Sequence, residues 1–243
     1  MNRQQWIVSA YSLTFGCFQL LWGRIADVCG RRSIFLIGTS VISIIAVAIP
    51  FSPNEIVFNV LRGIQGLGAA ANYPTAIGIL SATFPPGKAK NYALTCFAAG
   101  TSLGSITGIL LSGFIGQSLT WKWIFWILSI SAVVITIAAT VLVPAFQNTN
   151  IVQDLQTHVD WVGYTLITCG LIALMFALTE ENVVGWSTPW IPGLMVVSGL
   201  LITFFVYWQK YLTRKGLRKP LIKLSVFRSP PVNAALVIIA FSF

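Results

Sequence analysis

Two polar clusters interrupt an otherwise apolar chain, and each holds residue types that could do work inside a membrane. Residues 23–32, GRIADVCGRR, place Asp27 among Arg24, Arg31 and Arg32, with Gly23 and Gly30, which permit a positive φ and close helix approach, expected to make the bend. An aspartate beside three arginines near a bilayer cannot stay unpaired, so it is expected to bind one of them or a neighbouring helix N-terminus. Such a pair could latch helices together; the alternative is that the arginines only anchor the loop at lipid phosphates. Residues 61–74, LRGIQGLGAAANYP, carry Arg62, the one cation inside an apolar stretch, with Gln65 at i+3 on the same helical face. Arg62 either points into a polar cavity, where an intramembrane arginine is a functional candidate, or snorkels outward.

A third pattern is structural. Gly100, Gly104, Gly108, Ser112 and Gly116 recur every four residues, a small-residue stripe suited to close packing against another helix, or else to a moving gate. Gly66 and Gly68 offer the same close approach beside Arg62.

The elements that must position these residues follow from composition. The chain is 56% hydrophobic and 9% charged, against roughly 45–50% and 25% in soluble domains. Seven stretches, about 5–23, 33–52, 56–83, 91–116, 121–144, 160–179 and 189–209, approach or exceed the ~20 apolar residues that cross a bilayer. The expected fold is an all-α integral membrane protein, a polytopic helical bundle. An eighth apolar stretch, 232–243, covers only about 18 Å of a ~30 Å hydrocarbon core, so the expectation is a chain truncated within a helix.

Charge placement sets orientation. With the 24–32 loop cytoplasmic, twelve of the fifteen Lys and Arg residues face the cytoplasm: Arg24, Arg31 and Arg32, then Lys88 and Lys90, then the seven between 210 and 229. The positive-inside rule therefore places residue 1 outside. The +9 charge needs no nucleic-acid partner, although the basic 210–229 segment also suits anionic lipid headgroups. Trp6, Trp22, Trp121, Trp186 and Trp190 read as interfacial anchors. Tyr11, Gln19, Asn72 and Tyr73 are polar residues in apolar surroundings that could line a cavity. The single histidine, His158, and four scattered cysteines form no metal or disulfide framework; neither an enzyme, a cofactor nor a metal is expected.

These patterns, in this order, resemble the major facilitator superfamily over nearly the whole chain. GRIADVCGRR is similar to the family's loop between its second and third helices, carried here by Gly23, Asp27, Gly30, Arg31 and Arg32. LRGIQGLGAA is similar to the fourth-helix pattern of drug:proton antiporters, and the resemblance implies a part in proton coupling for Arg62, with Gln65, Gly66 and Gly68. WKWIFWI, DWVGYTL, VVGWSTPW and KPLIKLSVFR resemble segments of fourteen-helix members of the fungal aminotriazole-resistance type. The fifth-helix antiporter pattern departs here, with Ser105 after Gly104 and Ile109 after Gly108.

The resemblance implies an amino-terminal bundle lacking its first helix (1–144), two extra helices (145–212) and the start of a carboxy-terminal bundle (213–243). It implies proton-coupled export of drugs or small organic compounds across the plasma membrane by alternating access, with a small molecule and protons as partners. Two other readings stay open at the sequence level: a non-transporting fragment, and a seven-helix receptor. A retinal protein is disfavoured because residues 189–209 lack a Schiff-base lysine.

Overall fold

A computed structural model describes residues 5–143, 160–184 and 188–215. The basic 216–229 segment, the apolar 232–243 stretch, Trp186 and His158 lie outside the described residues. Each of the seven apolar stretches is a helix: α1 (Gln5–Cys29), α2 (Arg31–Ala48), α3 (Glu55–Thr83), α4 (Lys88–Ser118), α5 (Lys122–Leu142), α6 (Trp161–Val184) and α7 (Trp190–Lys215). A short 3-10 turn, Ile49–Phe51, ends α2, and the described residues hold no strand.

Five segments are long and apolar enough to cross a membrane: Arg31–Phe51, Lys88–Ser118, Lys122–Leu142, Trp161–Glu180 and Trp190–Leu212. The helices α1 and α3 are also long, at 25 and 29 residues, so each exceeds the ~30 Å core at about 1.5 Å per residue. Each carries a polar side chain that bonds to the other's backbone. Their seam is the most extensive between any two described helices. At its centre Thr14 Oγ1 donates to the Gly63 carbonyl at 2.8 Å.

Glycines set how closely this seam closes. A Cβ on Gly66 would meet Thr14 Oγ1 and stand 2.5 Å from the Tyr11 carbonyl oxygen; one on Gly38 of α2 would meet Asn72 Oδ1 and stand 2.8 Å from the Gly68 carbonyl oxygen. No side chain fits at either crossing, so α3 is packed against α1 on one flank and α2 on the other. The start of α3 is fixed by Asn54, whose Oδ1 accepts the Val57 N–H at 2.9 Å, with Glu55 favouring the helix dipole in the first turn. Pro74 lies inside α3. Its ring nitrogen has no hydrogen to donate to the Ala70 carbonyl.

The loop expected at 24–32 is shorter than its sequence implies. Helix α1 runs through Asp27 to Cys29, and the reversal is made at Gly30 alone, with φ 97° and ψ 122°. That left-handed φ is costly for any residue with a Cβ. Gly23 therefore makes no bend, contrary to expectation: it lies within α1 facing Pro74, whose Cβ stands 3.4 Å from where a Gly23 Cβ would be. The physical reason is that RIADVC contains no helix breaker, so hydrogen bonding continues until Gly30.

The remaining helices arrange around α1–α3. Helix α5 packs on α2, α6 packs on α7 and along α1, and α4 touches α3 and α5 only slightly. Open space surrounds Gly100, Gly104 and Gly108 where a Cβ would go, while Leu103, Ile109 and Phe114 are 62–72% exposed. No described helix fills the small-residue stripe. Of the tryptophans expected at the interface, Trp121 and Trp190 are exposed. Trp22 instead packs against the buried Ala26, Ile34 and Ala71, and Trp6 turns toward α6.

Candidate functional site

Arg62 lies two turns into α3 and does not snorkel. Its Nε donates to the Ile7 carbonyl of α1 at 3.1 Å and its Nη1 to Gln65 Oε1 at 2.9 Å. The guanidinium carbon sits 4.8 Å from the centroid of the Tyr11 ring and 5.8 Å from that of Phe125, distances at which ring quadrupoles attract a cation. The i+3 spacing thus delivers the pairing it implies. Gln65 is 1% exposed, and its Nε2 is a buried donor with no partner among the described residues. Among the described residues, Arg62 faces dipoles and rings, while the one ion pair lies elsewhere, between Arg31 and Asp27.

From this cluster a row of rings leads inward. Tyr11 stacks on Phe15 at 5.9 Å, Phe15 meets Tyr73 edge-on at 6.3 Å, and Tyr73 meets Phe97 of α4 at 5.6 Å. The row ends at a cavity of ≈490 Å³ lined by Phe15, Phe35, Asn72, Tyr73, Phe97 and Thr101 among others. That volume lies in the ~300–1,000 Å³ range of small-molecule sites, as does the mostly apolar wall with few polar groups. Asn72 and Tyr73, expected from polarity alone, do line it. Asn72 Oδ1 is buried without a partner, held against Gly38. Tyr11 belongs to the Arg62 cluster, and Gln19 is half-buried on α1.

At the opposite end of α3, Arg31 makes the expected tie to Asp27. Its Nε and Nη2 both donate to Asp27 Oδ1, at 3.0 and 2.9 Å. Its Nη1 donates to the Gly78 carbonyl of α3 at 2.6 Å. The pair therefore joins three helices: the end of α1, the start of α2 and the inner half of α3. Arg32 reaches a fourth, its Nη2 donating to the Thr140 carbonyl of α5 at 2.7 Å. These carbonyls belong to the inner ends of α3 and α5, where a cation also suits the helix dipole.

Sequence reasoning missed three contributors. Gly78 makes room for Arg31, whose Cδ and Nε stand 2.9 Å from a Cβ built there; a glycine one helical pitch beyond Pro74 was the available signal. Thr14 pins the α1–α3 seam, and Gly38 accepts Asn72. Neither carries a charge or a spacing that marks it.

Comparison with known proteins supplies the family. A model described as Major Facilitator Superfamily matches residues 2–243. A low affinity ammonium transporter of Saccharomyces cerevisiae is 33% identical over 85% of this chain and 41% of its own length. The major facilitator superfamily multidrug transporter mdr3 of Aspergillus fumigatus is 31% identical over 84% of this chain and 39% of its own. The aminotriazole resistance protein of Saccharomyces cerevisiae is 28% identical over 86% and 39%. The chain spans about two fifths of the length of these relatives. An all-helical, multi-pass membrane architecture together with a family match along the chain leads to one conclusion: this chain belongs to the major facilitator superfamily.

Proposed function

We propose that the protein exports drugs or other small organic compounds across the plasma membrane in exchange for protons, by alternating access around a midplane site. The observation that carries this reading is Arg62, a cation held inside the helix packing by carbonyl, amide and rings, with no ion pair to a carboxylate among the described residues. Such a charge is expensive within a bilayer, and its positive potential would favour release of a proton from an acid brought near it during transport. In this reading α1–α5 belong to the amino-terminal bundle, and α6 and α7 are an additional pair.

The cavity supports an organic substrate. Its aromatic wall suits apolar or weakly cationic molecules. An ammonium ion, comparable to a water molecule that takes about 30 Å³ in the liquid, would leave most of the ≈490 Å³ empty. The names of the multidrug and aminotriazole relatives agree with this choice, while the ammonium transporter's name makes ammonium the competing cargo.

The test is transport by the gene product, made with all coding sequence that flanks these residues and reconstituted in proteoliposomes. A panel of small lipophilic drugs is expected to be moved only while a pH gradient is imposed, and ammonium is not expected to compete. Movement unchanged by a protonophore would remove proton coupling, and failure of every drug alongside ammonium movement would remove the export reading.

The Asp27–Arg31 tie gives a second expectation in the same assay. Arg31→Ala should slow transport about tenfold, because it removes the bond to the Gly78 carbonyl together with the partly exposed pair to Asp27, ~1.5 kcal/mol in all, with membrane insertion unchanged. Asp27→Asn should slow it less, because the amide oxygen still accepts a hydrogen bond. Equal rates in both variants at matched expression would reduce the pair to an anchor.

A further inference from the structure

Helices α6 and α7 are joined at their inner ends by one buried carboxylate. Asp160, 3% exposed, sits just before α6. Its Oδ1 accepts the Gly163 N–H and Trp208 Nε1–H, each at 3.1 Å, and its Oδ2 accepts Gln209 Nε2–H at 2.9 Å. One residue thereby caps α6 and grips α7 one turn before that helix's basic end. Farther along, Ser198 Oγ donates to the Gly170 carbonyl at 3.0 Å, and a Cβ on Gly170 would stand 3.1 Å from Ile202. Beyond that the Phe176 ring lies 6.2 Å from that of Trp190, so the two helices are a closed hairpin over more than half their length.

This hairpin lies along α1, with the register fixed at the outer end. Trp6 Nε1 donates to Glu180 Oε1 at 2.9 Å, and the Trp6 ring lies 5.6 Å from that of Phe176. The helices run antiparallel, so about 27 Å of α1 from Trp6 to Arg24 and about 30 Å of α6 from Glu180 back to Asp160 end at the same level. There Tyr164, one turn along from Asp160 and 5% exposed, lies on the helix that packs along α1. The inner end of α1 is therefore flanked on two sides: by α2 and α3, which Arg31 ties to Asp27, and by the inner end of α6, where Tyr164 lies.

We propose that Asp160 and Tyr164 are positioning residues for the Asp27–Arg31 tie: Asp160 locks the α6–α7 hairpin, and the Tyr164 ring of that hairpin buttresses the inner end of α1 so that Asp27 stays where Arg31 can bind it and reach Gly78 together. Arg31 alone cannot fix Asp27, because their side chains are 38% and 33% exposed and a pair so open to solvent is weak by itself. The buried Asp160 junction supplies the rigidity that the exposed pair lacks. The assignment holds whatever solute the protein carries.

Backbone amide exchange of the chain in lipid nanodiscs tests this without a transport assay. Asp160→Ala is expected to raise exchange both across residues 161–170 and across residues 23–32. Asp160→Asn, which keeps the Oδ1 acceptor, should do so to a smaller extent. Tyr164→Ala leaves the Asp160 contacts in place, so it should raise exchange at 23–32 by about threefold or more, the scale of one lost interaction, with 198–212 and 5–15 unchanged. Wild-type exchange at 23–32 in both Asp160→Ala and Tyr164→Ala would overturn the proposal. So would a uniform rise along α1 and α3 in Tyr164→Ala, which would mean that the ring only supports overall folding.

Discussion

Arg62→Ala is expected to reduce gradient-driven transport by about a hundredfold. The guanidinium donates to the Ile7 carbonyl and to Gln65 Oε1; two charge-assisted bonds at ~1.5 kcal/mol each amount to about two orders of magnitude. The loss goes beyond the contacts, since Gln65 would then have neither side-chain polar atom paired within a seam that is 1% exposed at that residue. Arg62→Lys should recover only part of the rate: an ammonium keeps the charge but cannot address the carbonyl, the amide and the Tyr11 ring from one rigid plane. Initial rates in proteoliposomes at matched protein decide this. A wild-type rate in Arg62→Ala would show that the cation has no part in coupling.

The second large effect is on stability and discriminates between two glycines that look alike in sequence. Gly66→Ala puts a Cβ 2.5 Å from the Tyr11 carbonyl oxygen and against Thr14 Oγ1. Overpacking of this kind costs about 1–3 kcal/mol, and backbone cannot move aside as a flexible side chain would. Thermal unfolding of the purified chain should shift down by about 5 °C, taking about 2–4 °C per kcal/mol for a chain of this size. Gly104→Ala meets nothing within 4 Å, so it should hold or gain stability, up to the ~1 kcal/mol that alanine contributes over glycine in a helix. Equal losses at both positions would show that a partner not among the described residues covers Gly104.

What could be read from the sequence divides by the range of the interaction. Helix number and approximate extent followed from apolar run length, which is a local property. The Arg62–Gln65 pair also followed, because an i+3 spacing becomes a contact once a helix forms, and a partner for Asp27 among its neighbouring arginines followed from charge, although the pair bridges the Gly30 reversal and not a helical turn. The end of α1 was misjudged because a glycine in a polar run looks like a turn. Gly23 lies inside α1, where a Cβ would make only an ordinary 3.4 Å contact with Pro74, and of the two glycines Gly30 alone takes a positive φ. The partners of Arg31 and Arg32 on α3 and α5 were beyond reach for a different reason: both acceptors are backbone carbonyls, which every residue has. Asp160 stood in view within DWVGYTL, yet its grip on Trp208 and Gln209 spans 48 and 49 residues and has no periodicity to reveal it. The small stripe on α4 was legible as a surface, and among the described residues nothing packs into it.

Stiffness along α3 is not uniform, and the place where it drops is Pro74. Nearly every interior rung of the helix resists bending, but the Ala70 carbonyl lacks its usual rung there. The Arg62 grip lies on the outer side of this soft point and the Gly78 grip on the inner side. Two clamps on opposite arms of a compliant rod do not load each other as they would on a rigid one. A small displacement at the outer clamp is expected to be taken up as flexure near Pro74 before it reaches the inner clamp.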